Sequence, residues 1–347
     1  MALYFGDKAF SEFDALLQEE NFSKLFILCD ENTHEDCLPS FLERVSNLPD
    51  LEILEIEAGE DTKSLSVLEQ LWLSLSDLEA DRHSLVLNLG GGVVSDLGGF
   101  LAATFMRGIS FVNFPTSLLA MVDASVGAKT GINFGAFKNR IGAFADAQLV
   151  GIVPDFLETL NNEELLSGWA EMLKHGLIAS PEHFNDIKNL DPLRPLPNLE
   201  QIQASVAIKE EIVLSDPLEK GNRKKLNFGH TFGHALESYS HLREAPLSHG
   251  HCVALGMAVA LELSVQNLNF PSAPAKEIQE FLAKAYRWPS FQIEQEPFKK
   301  LILGDKKNRG EVINMVLLKR VGKAEYNCAV DFNAIWDSYK KLVNGAD

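Results

Sequence analysis

The chain has 347 residues, 46% of them apolar and 23% charged, with a net charge of −18. That length suits two domains, and the composition is that of a globular protein, not a disordered chain. The negative field makes nucleic acid and anionic membrane surfaces poor partners, so an anionic substrate would need local basic clusters.

The first twenty residues, MALYFGDKAFSEFDALLQEE, are acidic and amphipathic. They lack the basic start and apolar run of a secretory signal. LFILC at 25–29 reads as a buried strand, followed by polar DENTHED. LEILEIE at 51–57 alternates like a half-buried strand, and SLSVLEQLWLSL at 64–75 has helical spacing. SLVLNL at 84–89 is a second buried strand, ending in Gly90-Gly91-Gly92, and ISFVNFP at 109–115 is another. Strands alternating with helices imply crossovers and a parallel sheet covered on both faces. Beyond about residue 150 the segments NEELLSGWAEMLKHGLIAS, EQIQASVAIKEEIVLSD, HTFGHALESYS and HCVALGMAVALELSVQNL are helical in period, with Pro and Gly expected between them. A boundary near Val153-Pro154 gives an α/β domain at 1–153 and a mostly helical domain at 154–347. No stretch is read as reaching the roughly 20 apolar residues of a membrane helix. Cys29, Cys37, Cys252 and Cys328 form no C-x-x-C pair, and the first two flank a segment read as a charged loop. That is the usage of a reducing compartment, so a cytoplasmic location is expected.

Several motifs carry chemistry. NLGGGVVSDLGGF follows a strand and opens a helix, where backbone N–H groups can approach a pyrophosphate. The G-x-G-x-x-G fingerprint is not met, because its third glycine would fall at Ser95, and a ligand-free turn fits equally well. Asp30, Glu60 and Lys63 lie where the C-terminal edge of the sheet would be, as ribose ligands or as plain turn and cap residues. His230 and His234 lie four apart on a helix, with His249 and His251 following. Glu171 shares its helix with His175. A carboxylate and two imidazoles with an open position make a catalytic zinc site, but the spacing alone leaves several ligand sets open. Arg107, Lys129, Lys138, Arg140, Lys174, Lys209, Arg223, Lys306 and Lys307 are basic groups near these motifs that suit phosphate or carboxylate.

Taken together, GGGVVSDLGGFLAATFMRGISFVNFPTSLLAMVDASVGAKTGIN, FKNRIGAF, GWAEMLKHGLI, RKKLNFGHTFGHALE and SHGHCVALGM closely resemble the 3-dehydroquinate synthase family of sugar-phosphate cyclases, in its order and with nearly its spacing. The resemblance runs from about Asp30 to the DKKNRG and GKAE segments. It implies a Rossmann-like α/β N-terminal domain, a mostly α-helical C-terminal domain and an active site in the cleft between them. It implies NAD and one divalent metal, zinc with cobalt as the alternative. The activity implied is conversion of 3-deoxy-D-arabino-heptulosonate 7-phosphate to 3-dehydroquinate and phosphate. Transient oxidation by NAD, phosphate elimination, reduction and an intramolecular aldol closure make up that reaction. A small anionic sugar phosphate as substrate and a homodimer are expected, with no nucleic acid and no membrane.

Residue by residue, the resemblance makes Glu171, His230 and His249 the metal ligands and His234 an active-site neighbour, with His175 and His251 outside the set. Asp30, Asn32, Glu60, Lys63, Gly91, Gly92, Val93, Asp96, Thr116, Ser117 and Thr159 fall on dinucleotide contacts. Asp123 and Lys138 fall near the nicotinamide, and Lys129 belongs to both the cofactor and the phosphate positions. Arg107, Lys129 and Asn139 fall on the phosphate pocket, Lys174 and Asn227 near substrate hydroxyls. Lys209, Arg223 and one of Lys306 or Lys307 fall at the carboxylate end. Ser95, Ala128 and Phe137 stand where the family has glycines, and His251 where an acid is usual. The competing readings are another cyclase, a catalytically silent NAD-binding paralogue and a polyol dehydrogenase.

Overall fold

A computed structural model describes residues 1–135, 137–242, 246–304 and 312–344. The chain divides into two compact units: Met1–Asn161 with Leu196–Val206, and Asn162–Pro195 with Ala207–Asp347.

The first unit runs β1 (Ala2–Phe5), α1 (Asp7–Glu20), β2 (Leu25–Asp30), α2 (Glu31–Asp36), α3 (Leu38–Arg44), β3 (Leu51–Ile56), α4 (Leu65–Asp77), β4 (Leu85–Gly90), α5 (Gly92–Thr104), β5 (Ser110–Pro115), β6 (Lys129–Phe134), β7 (Phe137–Phe144) and β8 (Leu149–Ile152). Six strands form one sheet in the order β1-β8-β5-β4-β2-β3, and every pairing in it is parallel. Strand β2 is apolar and buried from Leu25 to Cys29 because both its faces are covered, whereas outer strand β3 alternates. From β2 the chain moves outward to β3; from β4 it moves the other way to β5. The topological switch therefore lies between the ends of β2 and β4, where Asp30 and Gly90–Gly92 stand, and ligands of open α/β sheets bind at such points. Phe10, Phe13 and Phe41 pack their rings on Phe114 of β5 at centroid distances of 4.9–5.6 Å.

The charged stretch after Cys29 is helix α2, not a loop, closed by a capping box in which the Asp30 carboxylate accepts from Thr33 N–H. Strands β1 and β8 have four residues each, too few to show a period. The antiparallel β6–β7 pair is a separate two-stranded sheet. Helix α5 lies close against its neighbours through Gly98: a Cβ there would fall 1.8 Å from Asn88 Oδ1.

Ala128 has φ +60°, so a glycine-like conformation persists without the glycine. The left-handed region costs an L-residue roughly 1–2 kcal/mol, partly offset by the greater unfolded-chain entropy of Gly. We expect Ala128→Gly to stabilise the fold by about 1 kcal/mol and raise Tm by about 2–4 °C. Calorimetric melting checks this, and an unchanged or lower Tm would refute it.

The second unit contains α6 (Asn162–Ala179), α7 (Pro181–Lys188), α8 (Leu199–Ser215) from Ala207 onward, α9 (His230–Ser240), α10 (His249–Leu268), α11 (Ser272–Tyr286), α12 (Gln295–Leu303), β9 (Ile313–Arg320), β10 (Lys323–Val330) and α13 (Phe332–Asn344). It is mostly helical, with one antiparallel pair, β9–β10. Glycines do occur inside its helices, contrary to the sequence expectation, where another backbone comes close. A Cβ on Gly256 of α10 would lie 1.9 Å from the Gly229 carbonyl oxygen, and one on Gly250 would lie 2.5 Å from Ser167 Cα. Helix α10 also corrects the reading of apolar stretches. Its 20 residues are long and apolar enough to cross a membrane, but 72% of that window is buried inside the fold. Its polar N-terminal turn, His249–His251, and the ion pair of Glu262 with Lys341 mark it as a core helix.

Candidate active site

Three helices of the second unit bring one acid and two imidazoles together. Glu171 on α6 is fully buried. Its Oε1 lies 3.5 Å from Nε2 of His230, the first residue of α9, and 3.5 Å from Nε2 of His249, the first residue of α10. The close backbone approach at Gly256 fixes the start of α9 against α10, and that at Gly250 fixes α10 against α6. Lys174, one turn beyond Glu171 and 1% exposed, ion-pairs with the other carboxylate oxygen. His230 Nδ1 sits 3.1 Å from the Phe228 carbonyl, which can only accept. The ring therefore carries its proton on Nδ1, and a neutral His230 turns the Nε2 lone pair toward Glu171. Two nitrogens and an oxygen converging in this way fit a divalent metal with an open position, and the N,N,O donor set suits zinc or cobalt.

The other histidines are placed differently. The His234 ring lies 5.0 Å from that of His230 and is exposed. His251 Nδ1 is 2.7 Å from Ser248 Oγ, and its ring stands edge-on to Tyr286. His175 is buried on α6.

The two ligand rings differ electrostatically. Burial, reinforced by Lys174, lowers His230 to about 3. Burial acts the same way on His249, but Glu237 and Glu171 outweigh it and push that ring up to about 10. Without metal, His249 thus holds a proton through neutral pH, and a cation must displace it. A raised pKa means the proton is held below about 10, so metal affinity rises with pH, by up to about tenfold per unit between about pH 7 and 9. Zinc competition titrations across that range check this, and a flat profile would refute it.

Further along, the buried Lys209 and Arg223 flank a loop organised by Asp216. Its carboxylate accepts from the N–H groups of Lys220 (3.0 Å), Gly221 (2.6 Å) and Arg223 (3.1 Å). Arg223 Nη1 donates to the Pro217 carbonyl at 2.7 Å, and Asn227 Nδ2 donates to Glu219 Oε1 at 2.5 Å. The sequence reading missed Asp216 and Glu219. Their signal was an acid at the start of a polar loop, followed by Gly221. Lys306 and Lys307 lie outside the described residues.

In the first unit the predicted cofactor residues gather at strand ends. Helix α5 begins after Gly91, which offers no side-chain cap, so its first N–H groups are available to an anion. A Cβ on Gly91 would reach Ser117 Oγ at 3.4 Å, and one on Gly92 would reach Ala124 at the same distance. These bare glycines leave room for a dinucleotide pyrophosphate. Val93 is in the first turn, and Thr116 N–H donates to the Gly90 carbonyl at 3.0 Å. Lys63 pairs with Asp96 at 2.5 Å. Glu60 lies 3.8 Å from Lys138 and accepts from Asn133 Nδ2 at 2.7 Å, while Asn133 Oδ1 accepts from Asn139 N–H. Asn133 thus ties the Glu60 turn to the β6–β7 hairpin, a link the sequence reading did not identify. Asp123 sits in a π-helical turn, Ala120–Ala124, a distortion common at functional sites. Asp30 caps α2, Asn32 is exposed on it, and the Thr159 hydroxyl bonds the Cys37 thiol. Arg107 and Lys129 are exposed, Arg107 with φ +69°. Ser95 is buried in α5, its hydroxyl without a protein partner. The Phe137 side chain is not among those described.

Residues 53–167 match the family profile described as 3-dehydroquinate synthase N-terminal, and residues 168–308 the one described as 3-dehydroquinate synthase C-terminal. A protein of Parabacteroides distasonis named 3-dehydroquinate synthase is 43% identical over 331 residues, 94% of each chain. One of the same name from Clostridium beijerinckii is 38% identical over 309 residues, 87% of each. Among solved structures, 2-deoxy-scyllo-inosose synthase, complexed with carbaglucose-6-phosphate, NAD+ and Co2+, has a TM-score of 0.85 at 22% identity, covering 98% of this chain and 96% of its own. ValA, a 2-epi-5-epi-valiolone synthase of Streptomyces hygroscopicus with NAD+ and Zn2+ bound, scores 0.81 at 23% identity, covering 99% and 96%. These two show the same fold. The matches to both profiles and to relatives along nearly the whole length show that the chain belongs to the 3-dehydroquinate synthase family.

Proposed function

We propose that this chain is a 3-dehydroquinate synthase. It converts 3-deoxy-D-arabino-heptulosonate 7-phosphate to 3-dehydroquinate and phosphate, a step of the shikimate pathway toward aromatic amino acids. The observation that carries this is the buried Glu171, His230 and His249 cluster in a chain 43% identical to a protein of that name. We read the enzyme as a cytoplasmic homodimer; four thiols and no disulfide among them suit a reducing compartment.

When bound, NAD supplies hydride acceptance and return, and a divalent metal supplies Lewis-acid polarisation of a substrate hydroxyl. The chain's own residues do the rest. Glu171, His230 and His249 hold the metal. Gly91, Gly92 and Val93 present N–H groups to the pyrophosphate. Asp30 and Glu60 face the adenosine half, Asn32, Lys63, Asp96, Thr116, Ser117, Lys129 and Thr159 make further contacts to the dinucleotide, and Asp123 and Lys138 stand near the nicotinamide. Arg107, Lys129 and Asn139 hold the substrate phosphate. Lys174 and Asn227 orient hydroxyls, and His234 stands beside the metal. Lys209 and Arg223, with Lys306 or Lys307, hold the carboxylate. Most of this is positioning, which suits a reaction whose elimination and aldol steps need alignment more than new groups.

The direct test supplies metal, NAD and the heptulosonate phosphate, then measures phosphate release together with dehydroquinate. Absence of product would overturn the proposal. Stoichiometric NADH without phosphate would point to a polyol dehydrogenase. A second measurement fixes the substrate class. Removing one partner of a buried charge pair costs about 2–5 kcal/mol. Arg223→Ala should therefore lower kcat/KM strongly for the natural substrate and far less for an analogue without the carboxylate. Equal losses on both would favour a different cyclase.

A further inference from the structure

Glu237 is absent from every set of residues named for the reaction, yet it is an acid buried in the last turn of α9, 5% exposed. A carboxylate there meets the negative end of its own helix, which is unfavourable unless something compensates. Its Oε2 lies 3.5 Å from Nδ1 of His249, whose other ring nitrogen faces Glu171 Oε1 at 3.5 Å. The arrangement parallels that of His230, whose Nδ1 bonds the Phe228 carbonyl while its Nε2 faces the same oxygen. Both supports, the carbonyl and the carboxylate, only accept.

We propose that Glu237 is a positioning residue for the metal centre: by accepting from His249 Nδ1–H it orients the ring so that Nε2 is the nitrogen that meets the cation. This rests on the metal-site reading above. The exposed His234 is grouped with Glu237 and His249 in a second arrangement that could hold an ion. We favour the supporting role because the carboxylate is buried and the ring it touches already faces Glu171. Acceptors behind metal-bound histidines fix tautomer and orientation, and losing one weakens metal binding by about 10–100-fold.

The experiment uses the full chain stripped of metal. Zn2+ affinity is read by chelator competition, stoichiometry by titration, and ligand geometry by the visible absorption of the Co2+-loaded protein. Glu237→Ala should weaken Zn2+ binding about 10–100-fold and alter the Co2+ spectrum, with stoichiometry unchanged at one. Glu237→Gln keeps an acceptor oxygen of the same shape and should recover much of the affinity. If Ala at this site prevents folding, the Gln variant still tests the point, through a smaller loss of affinity and a shifted spectrum. Wild-type affinity and spectrum in both variants, with only a lower melting temperature, would make Glu237 merely structural and overturn the proposal. Two ions per wild-type chain, one lost in Glu237→Ala, would overturn it in favour of a second metal site. A wild-type chain that binds no Zn2+ would instead overturn the metal-site reading itself.

Discussion

Glu171→Gln should abolish stoichiometric metal binding and leave a less stable protein. The carboxylate is the meeting point of both imidazole Nε2 atoms, so its loss removes the one anionic group of the proposed metal cluster. The drop in affinity should exceed the ~100-fold limit typical of a lost supporting group. A second penalty has a different origin. Lys174 is buried and ion-paired with Glu171, and removing one partner of such a pair costs about 3–5 kcal/mol, because the other charge stays behind uncompensated. His230→Ala separates the two effects. It deletes a ligand but leaves the Lys174–Glu171 pair intact, so it should lose metal with a smaller fall in metal-free stability. Zinc competition and thermal melting of both metal-free variants provide the comparison. If the two variants melt alike, the ion pair contributes nothing measurable. If either binds zinc as wild type does, the ligand assignment is wrong.

Gly256→Val should damage both stability and metal affinity although it touches no ligand. Its Cβ would sit 1.9 Å from the Gly229 carbonyl oxygen and 3.0 Å from Gly233 N. Both are backbone atoms, so no side-chain rotation relieves the clash. Gly229 cannot move easily either, since its φ of +81° and its contact with α10 are part of the same junction. Overpacking costs typically about 1–3 kcal/mol and more where the surroundings are rigid, so the upper end is expected. A Tm loss of several degrees follows, roughly 2–4 °C per kcal/mol. His230 comes directly after Gly229 and would shift with it, loosening the metal ligands. Normal zinc affinity in a destabilised Gly256→Val chain would show that the junction supports the core alone.

Much of this architecture was legible because period and burial coincide. LFILC is apolar throughout and SLVLNL mostly so, and both became central strands, while the Gly90–Gly92 run marked the strand-to-helix turn beside the switch point. What escaped reading depends on long-range geometry. Spacing could not choose between His249 and His251; two residues apart on a helix, they point about 200° apart, and only the packed fold shows which faces Glu171. Asp216, Glu219 and Glu237 look like ordinary surface acids in sequence, because their role comes from the groups that the fold brings to them. Lys63 reads as a strand-end residue open to a ligand, and nothing in the sequence pairs it with Asp96, thirty-three positions away. Ala128 gave no sign of its positive φ except by standing where the family has glycine.

The outer position of β3 also bears on how the protein behaves in concentrated solution. A strand with one side unpaired is a template for another chain, and Ile53 on this one is 41% exposed. Glu52 and Glu55 stand near it, paired with Lys24 and His34, so a second copy would meet charged groups along this edge. The isoelectric point is about 4.9, and the net charge that keeps molecules apart vanishes there. Acidification therefore removes the repulsion between whole molecules while this edge keeps an unpaired side. Self-association should set in abruptly on approach to that pH, and Glu55→Gln should move its onset upward.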